Sequence, residues 1–351
     1  MRDVTLTTSH WLASAELPLW NLTFGDLLRQ LAHEHPDRIG FVESLPQQSR
    51  RWTYRELLQS GEKAAPALLE HFQPRDKIAV WSPNCAEWVL LQHGAALAGL
   101  VLVTVNPAYL GKEVLHVVHE LQAQLPGLKL ARTLDDWEGF LETGSSDRAL
   151  PLVSPTDVAQ IQFTSGTTGK PKGAQLHHIG LVNASRFAAQ RASFPTGGVW
   201  ATAMPLFHVG GCAGSQLGAL TSRGTFVLQP IFDAGDMLRI IEEEKVNHLH
   251  AVPTMVVRIL EHPNREQHKL DSLKTLMSGG SPVPESLVRR AREDLGCRFT
   301  ITFGQTELNG VVCQTYPDDT VDRQTSTIGQ PAPHMEVKIA DPRSGSVLPL
   351  D

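Results

Sequence analysis

Four hydroxyls, three glycines and two lysines fall within ten consecutive residues, Thr164-Ser165-Gly166-Thr167-Thr168-Gly169-Lys170-Pro171-Lys172-Gly173. Such a segment suits phosphate: glycines let backbone N–H groups approach phosphate oxygens, hydroxyls add donors, and lysines neutralise charge. It is not a Walker A loop, which needs GxxxxGK followed by Ser or Thr, because here GxxGK is followed by Pro171. GTPase and P-loop kinase chemistry is disfavoured accordingly. The competing reading is a surface turn that happens to be rich in Ser, Thr and Gly. The apolar run Val158 to Thr164 directly before the segment favours phosphate, since a strand leading into such a loop, with a helix after it, is the arrangement phosphates favour.

The surrounding elements read as strands alternating with helices, the pattern of α/β layers with a largely parallel sheet. Helix Tyr54 to Phe72, strand Lys77 to Ser82, helix Ala86 to Leu97 and strand Leu100 to Val105 come first. A helix Gly111 to Gln122 and a short strand Leu125 to Ala131 follow, and then a polar segment from Asp135 to Asp147. That stretch is compressed, as if a strand-and-helix unit were lacking near 124–125. After strand Val158 to Thr164 and its loop, a helix is expected from His178 to Arg191. Strands Val199 to Met204, Thr225 to Leu228, His248 to Val252, Thr275 to Ser278 and Phe299 to Phe303 alternate with helices Gly214 to Thr221, Ala234 to Glu244, Thr254 to Glu261 and Glu285 to Leu295. From Ile328 the pattern changes to alternating residues around Asp341-Pro342, the start of a hairpin. This suggests three units: 1–157, 158–327, and a small β subdomain beginning at 328–351.

Bulk properties narrow the function class. A chain of 351 residues, 41% hydrophobic, can bury more than one core. A net charge of −6 gives no footprint for nucleic acid. Cys85, Cys212, Cys297 and Cys313 are widely spaced, so neither a disulfide framework nor a zinc site is indicated, and a reducing, cytoplasmic setting fits. The most apolar stretch, Trp88 to Val105, is interrupted by Gln92, His93, Gly94 and Gly99 and reads as a buried helix and strand rather than a membrane span. His177-His178, His248-x-His250 and the run Glu242-Glu243-Glu244-Lys245 lack metal-ligand spacing and read as structural or solvated positions.

The ten-residue segment matches, position by position, the pattern [ST]SG[ST]TGxPKG of the adenylate-forming superfamily. A second block, Thr302-Phe303-Gly304-Gln305-Thr306-Glu307, is similar to that family's aromatic-Gly-x-Thr-Glu motif. Ser278-Gly279-Gly280-Ser281-Pro282 resembles its backbone-lined strip beside adenine, and Met204-Pro205-Leu206-Phe207-His208-Val209-Gly210-Gly211 its substrate-side motif. Together with VTVNPAY (Val103 to Tyr109), VPTM (Val252 to Met255) and IGQPAPHMEVKIADP, these blocks look most like medium-chain or fatty acyl-CoA synthetases.

The resemblance implies an AMP-forming acid–thiol ligase using ATP, Mg²⁺ and coenzyme A. Thr164, Ser165, Gly166, Thr167, Thr168, Gly169, Lys170 and Lys172 would hold phosphates, with Lys170, Thr306 and Glu307 catalytic and Glu307 the Mg²⁺ ligand. Gly279, Gly280, Ser281, Phe303, Gly304 and Gln305 would border adenine. His208, Val209, Gly280 and Gly304 would border the acyl group. Amino-acid adenylation domains usually place Asp where this chain has His208, so the substrate implied is a carboxylic acid without an α-amino group, a fatty acid. The family's small C-terminal domain, with its catalytic lysine, is expected to be lacking here. A nucleotide- or acyl-adenylate-binding remnant without turnover therefore stands beside the ligase reading.

Overall fold

The computed structural model describes residues 6–109, 127–128, 130–145, 147–164 and 171–350. Its strands are β1 (His10–Trp11), β2 (Ile39–Glu43), β3 (Arg50–Thr53), β4 (Lys77–Trp81), β5 (Val101–Val105), β6 (Val158–Thr164), β7 (Lys172–His177), β8 (Val199–Thr202), β9 (Thr225–Leu228), β10 (His248–His250), β11 (Thr275–Gly279), β12 (Arg298–Gln305), β13 (Gly310–Gln314), β14 (Gln330–Pro331) and β15 (Val337–Lys338). They build a nine-stranded sheet in the order β14-β13-β12-β11-β10-β8-β9-β2-β3, a four-stranded sheet in the order β4-β5-β6-β7, and the pair β1-β15. The centre of the large sheet is parallel and its two margins are antiparallel. This is the layered α/β architecture expected. Each of the two larger sheets draws on both sides of residue 157: β2 and β3 join the large one, while β6 and β7 join β4 and β5.

Local chemistry explains the helices. Helix Phe24–Glu34 opens on a capping box: the Thr23 hydroxyl accepts from the Asp26 N–H at 2.9 Å, and the Asp26 carboxylate accepts from the Thr23 N–H at 3.0 Å. Thr53 and Glu56 repeat the device at helix Tyr54–Leu69. Helix Ala86–Leu97 is apolar nearly all round, and all but Glu87 of its residues are buried. Its Gly94 lets it pack closely on helix Tyr54–Leu69, because a Cβ there would lie 2.6 Å from that of Ala64.

Three expectations are corrected. The phosphate-type segment does not run straight into a helix: β7 comes between, antiparallel to β6, and helix His178–Arg191 starts only after it. Lys172, Gly173 and Gln175 are largely exposed, so the strand shows no apolar run to read. Second, the strand expected at Leu125 to Ala131 is not formed at residues 127–128 or 130–131, where Pro126-Gly127 interrupts the pattern. Third, the polar segment beyond it contains helix Trp137–Leu141, which buries Trp137 and Phe140. The expected helix Gly111 to Gln122 and the 124–125 junction lie outside the described residues.

Arg191, at the end of helix His178–Arg191, fastens the edge of the large sheet. Its guanidinium donates to the carbonyls of Gln314 (3.0 Å), Gln330 (3.1 Å) and Pro331 (3.0 Å) and lies 4.5 Å from the centre of the Tyr316 ring. Arg191→Ala should destabilise the chain by roughly 3 kcal/mol, because the carbonyls lose charge-assisted donors in a partly buried place. Arg191→Lys, which cannot span all three, should recover only part of that. Urea unfolding of the three proteins checks both statements, and an unchanged midpoint in Arg191→Ala would refute them.

Candidate functional site

The ends of β6 and β12 meet. Thr164 Oγ1, the last residue of β6, donates to Glu307 Oε1 over 3.2 Å, although 143 residues separate them. Glu307 lies in a single 3₁₀ turn, Thr306–Leu308, directly after β12. The turn closes on Asn309, whose left-handed backbone (φ 64°) lets its N–H donate to the Thr306 carbonyl at 3.0 Å. Lys172 stands opposite Thr164 in the β6–β7 pair and is exposed. Ser165, Gly166, Thr167, Thr168, Gly169 and Lys170, between those strands in the chain, lie outside the described residues.

The glycines of the site serve different ends. A Cβ on Gly279 would fall 2.2 Å from the Thr302 carbonyl oxygen, and one on Gly304 would fall 2.4 Å from that of Gly310. Both are required by neighbouring strands. Gly280 is another case: it has φ +78° and no described residue within 4 Å of where a Cβ would stand, so among the described residues its backbone borders open space. Ser281 beside it is exposed, as are Gln305 and Phe303, the last presenting 39% of its surface at a bulge between β12 and β13. An exposed ring at a strand's carboxyl end, next to open backbone, is a surface on which a flat ligand can lie.

The segment containing His208 is held by three hydrogen bonds from two residues. Asn84 Nδ2 donates to the Met204 carbonyl (3.1 Å), its Oδ1 accepts from the Leu206 N–H (2.8 Å), and Thr104 Oγ1 donates to the Phe207 carbonyl (2.7 Å). Val209 is buried and lies 3.5 Å from where a Cβ on Gly310 would be, which brings this segment against the turn carrying Glu307. His208 reaches solvent, yet the protein around it desolvates the ring and lowers its pKa. Nearby Cys212 is buried between Gln160 and Gln162, and burial pushes its thiol up to about 12, which makes it unreactive.

Asn84, Thr104, Ser215 and His250 all support this segment, and none was singled out for a site role from the sequence. A polar residue in an apolar context was the only signal available, and it marks caps and core hydrogen bonds equally.

Among the described residues no group of three or more His, Cys, Asp or Glu is arranged to hold a metal. The donor set nevertheless fits Mg²⁺ brought in by a nucleotide, since that ion is commonly bound by one or two carboxylates plus substrate phosphates. Glu307 is exposed and offers a hard oxygen ligand next to Thr164. No helix among the described residues is long and apolar enough to cross a membrane.

Comparison with known proteins shows the family. Residues 28–351 match the family described as AMP-binding enzyme. The medium-chain acyl-CoA ligase ACSF2, mitochondrial, of Danio rerio is 31% identical over 405 residues, covering 99% of this chain and 66% of the relative. The putative acyl-CoA synthetase YngI of Bacillus subtilis is 30% identical, covering 91% of this chain and 67% of its own length. The chain thus spans about two thirds of these relatives. Because the first alignment is longer than the chain, the relative has stretches without counterpart inside the matched region.

Among solved structures, the inhibitor-bound N-terminal domain of FACL13 from Mycobacterium tuberculosis superposes with a TM-score of 0.79 at 23% identity, covering 88% of this chain and 82% of that one. The anthranilate CoA ligase AuaEII in complex with anthranoyl-AMP gives 0.84 at 19% identity, with 96% and 68% covered. Both likenesses concern the fold. With the family pattern extending over most of its length, the chain belongs to the AMP-binding enzymes.

Proposed function

We propose that the chain carries the adenylation site of an AMP-forming acyl-CoA synthetase, acting on a medium- or long-chain fatty acid with Mg-ATP and then coenzyme A. The observation that carries this reading is the contact of Thr164 with Glu307, which joins the start of the phosphate-type segment to the Thr-Glu turn. In this reading Thr164 to Lys172 hold the β- and γ-phosphates, and Thr306 stands by the α-phosphate. Phe303, Gly304, Gln305, Gly279, Gly280 and Ser281 border adenine. His208, Val209, Gly280 and Gly304 border the acyl group.

The fatty-acid carboxylate attacks the α-phosphorus, pyrophosphate leaves, and the acyl adenylate formed is then open to the thiol of coenzyme A. When bound, Mg²⁺ would supply charge neutralisation on the phosphates, with Glu307 as its protein ligand. The residues contribute position and fixed charge rather than covalent chemistry. The names of the relatives support the substrate class, as does the uncharged His208 where an ammonium-bearing substrate would call for a carboxylate. All four cysteines are free, which suits a reducing compartment such as the cytoplasm.

A second reading, binding of nucleotide or acyl adenylate without turnover, is favoured by the stretches of the ACSF2 relative that have no counterpart here. Carboxylate-dependent exchange of pyrophosphate into ATP by this 351-residue chain separates the two. A calorimetric titration with a non-hydrolysable fatty acyl-adenylate mimic accompanies it. Saturable 1:1 binding with exchange supports the ligase, binding without exchange supports the second reading, and no binding by a folded sample refutes both.

A further inference from the structure

We infer that Ser215 and His250 are positioning residues for His208, holding it as a neutral ring whose proton lies on Nε2. The protons can be assigned link by link. The Gly210 N–H donates to His208 Nδ1 over 3.0 Å, so Nδ1 is an acceptor and the proton of the neutral imidazole belongs on Nε2. Ser215 Oγ donates to the Gly210 carbonyl over 2.9 Å, which uses the hydroxyl's single proton. Its 2.8 Å contact with His250 Nδ1 must then be Nδ1–H donating to Oγ. Both polar groups of one peptide residue, Gly210, are thereby engaged: its carbonyl by the Ser215–His250 pair, its N–H by the ring of His208.

Geometry makes this chain of bonds specific. Gly210–Ser215 is one turn of π-helix, a wide turn whose first carbonyl the Ser215 hydroxyl reaches. Ser215 and His250 are buried, so neither bond competes with water. His250 is itself tied to the strand leading into this segment, because Thr202 Oγ1 donates to its carbonyl (2.7 Å) and accepts from the Met204 N–H (3.0 Å). There is no slack at the centre: a Cβ on Gly210 would lie 3.2 Å from His208 Nδ1 and 3.6 Å from His250 Cε1.

The outcome is a directed N–H donor on His208 with no formal charge. A carboxylate or acyl carbonyl oxygen can accept from it, and the ring does not compete as a base through Nδ1. That last step rests on the proposed placement of His208 beside the acyl group, whereas the assignment of protons does not.

Long-range ¹⁵N–¹H spectra of the histidine-labelled chain distinguish the two neutral tautomers and the doubly protonated ring. At pH 7, His208 should show Nε2–H alone and His250 Nδ1–H alone. Ser215→Ala and His250→Leu should leave His208 as a mixture of tautomers. His250→Asn, whose amide nitrogen takes the place of Nδ1, should restore the single form. In the exchange assay the first two variants should raise KM for the carboxylate about tenfold with KM for ATP unchanged, and His250→Asn should return it. A wild-type His208 carrying its proton on Nδ1, or a tautomer indifferent to both Ser215→Ala and His250→Leu, overturns the inference. The wild-type spectrum decides the first point even if a variant does not fold. If the tautomers respond as stated but KM for the carboxylate does not, the proton assignment stands and the placement of His208 in the acyl site falls.

Discussion

Lowering the pH from 7 to 5 should cost the fold on the order of 5 kcal/mol, through three histidines that it keeps neutral. Burial holds His93 down to about 3, and His178 and His250 to about 4, against an ordinary value of 6.5. Burial outweighs what their surroundings offer the cation, even at His178, where Asp157 and Asp26 act in the opposite direction. His93 lies tilted against Phe24 with ring centres 4.7 Å apart, His178 Nδ1 accepts from the Phe24 N–H, and His250 meets Ser215.

Below pH 6.5 the unfolded chain binds protons that these rings refuse in the fold, so stability falls with pH, and the loss continues until the folded rings titrate near 4 and 3. Each ring contributes about 1.4 kcal/mol per pH unit over that window, roughly 2 kcal/mol at pH 5. His248, buried on Trp200 with neither ring nitrogen bonded among the described residues, acts in the same direction. Urea unfolding at pH 7, 6 and 5 measures the effect. Equal stability at the two ends would mean that these rings are protonated in the folded chain.

Glu307→Gln should lower the rate of carboxylate-dependent pyrophosphate exchange by roughly 100-fold, with the unfolding midpoint unchanged. The substitution is chosen because the glutamine carbonyl can still accept from Thr164 Oγ1, so the 3.2 Å contact survives while the charge is lost. Any effect is then electrostatic. Glu307 is exposed, so nothing in the core depends on its carboxylate. The requirement for Mg²⁺ should also rise, since the remaining ligands to the ion would come from the nucleotide and water. Exchange and Mg²⁺ dependence both equal to wild type would remove Glu307 from the nucleotide site.

The strands of the parallel layer were legible because each is a short apolar run bounded by turn residues, as in Val158–Thr164 and Thr225–Leu228, both read to the residue. Where strands leave the covered centre, that signal fades. β7 is largely exposed, β13 includes Gly310 and the polar Gln314, and neither was read. Pairing is less legible still. Nothing in the residues of β2 says that Phe41 will lie beside Phe226 in a parallel register, since that choice is made by the layers that pack on both.

The site divides in the same way. Glycines, hydroxyls and the Thr-Glu pair are chemically distinctive at their spacing, so Thr164 and Glu307, which the fold brings into contact, could be proposed from the chain alone. Asn84 and Thr104 act on backbone groups of a segment 100 or more residues away, through bonds that only the folded chain creates.

The pairing of β1 with β15 bears on synthesis. His10 and Glu336, which share a 2.8 Å contact beside that pair, are 326 residues apart. A ribosome adds about 5–20 residues each second, so the partner of the first strand emerges roughly 15–65 s after it. Throughout that interval His10 and Trp11 have no strand to pair with, although helices Phe24–Glu34 and Tyr54–Leu69 are already outside the ribosome. Nascent chains of this protein should therefore leave their first strand unpaired until Val337 and Lys338 emerge.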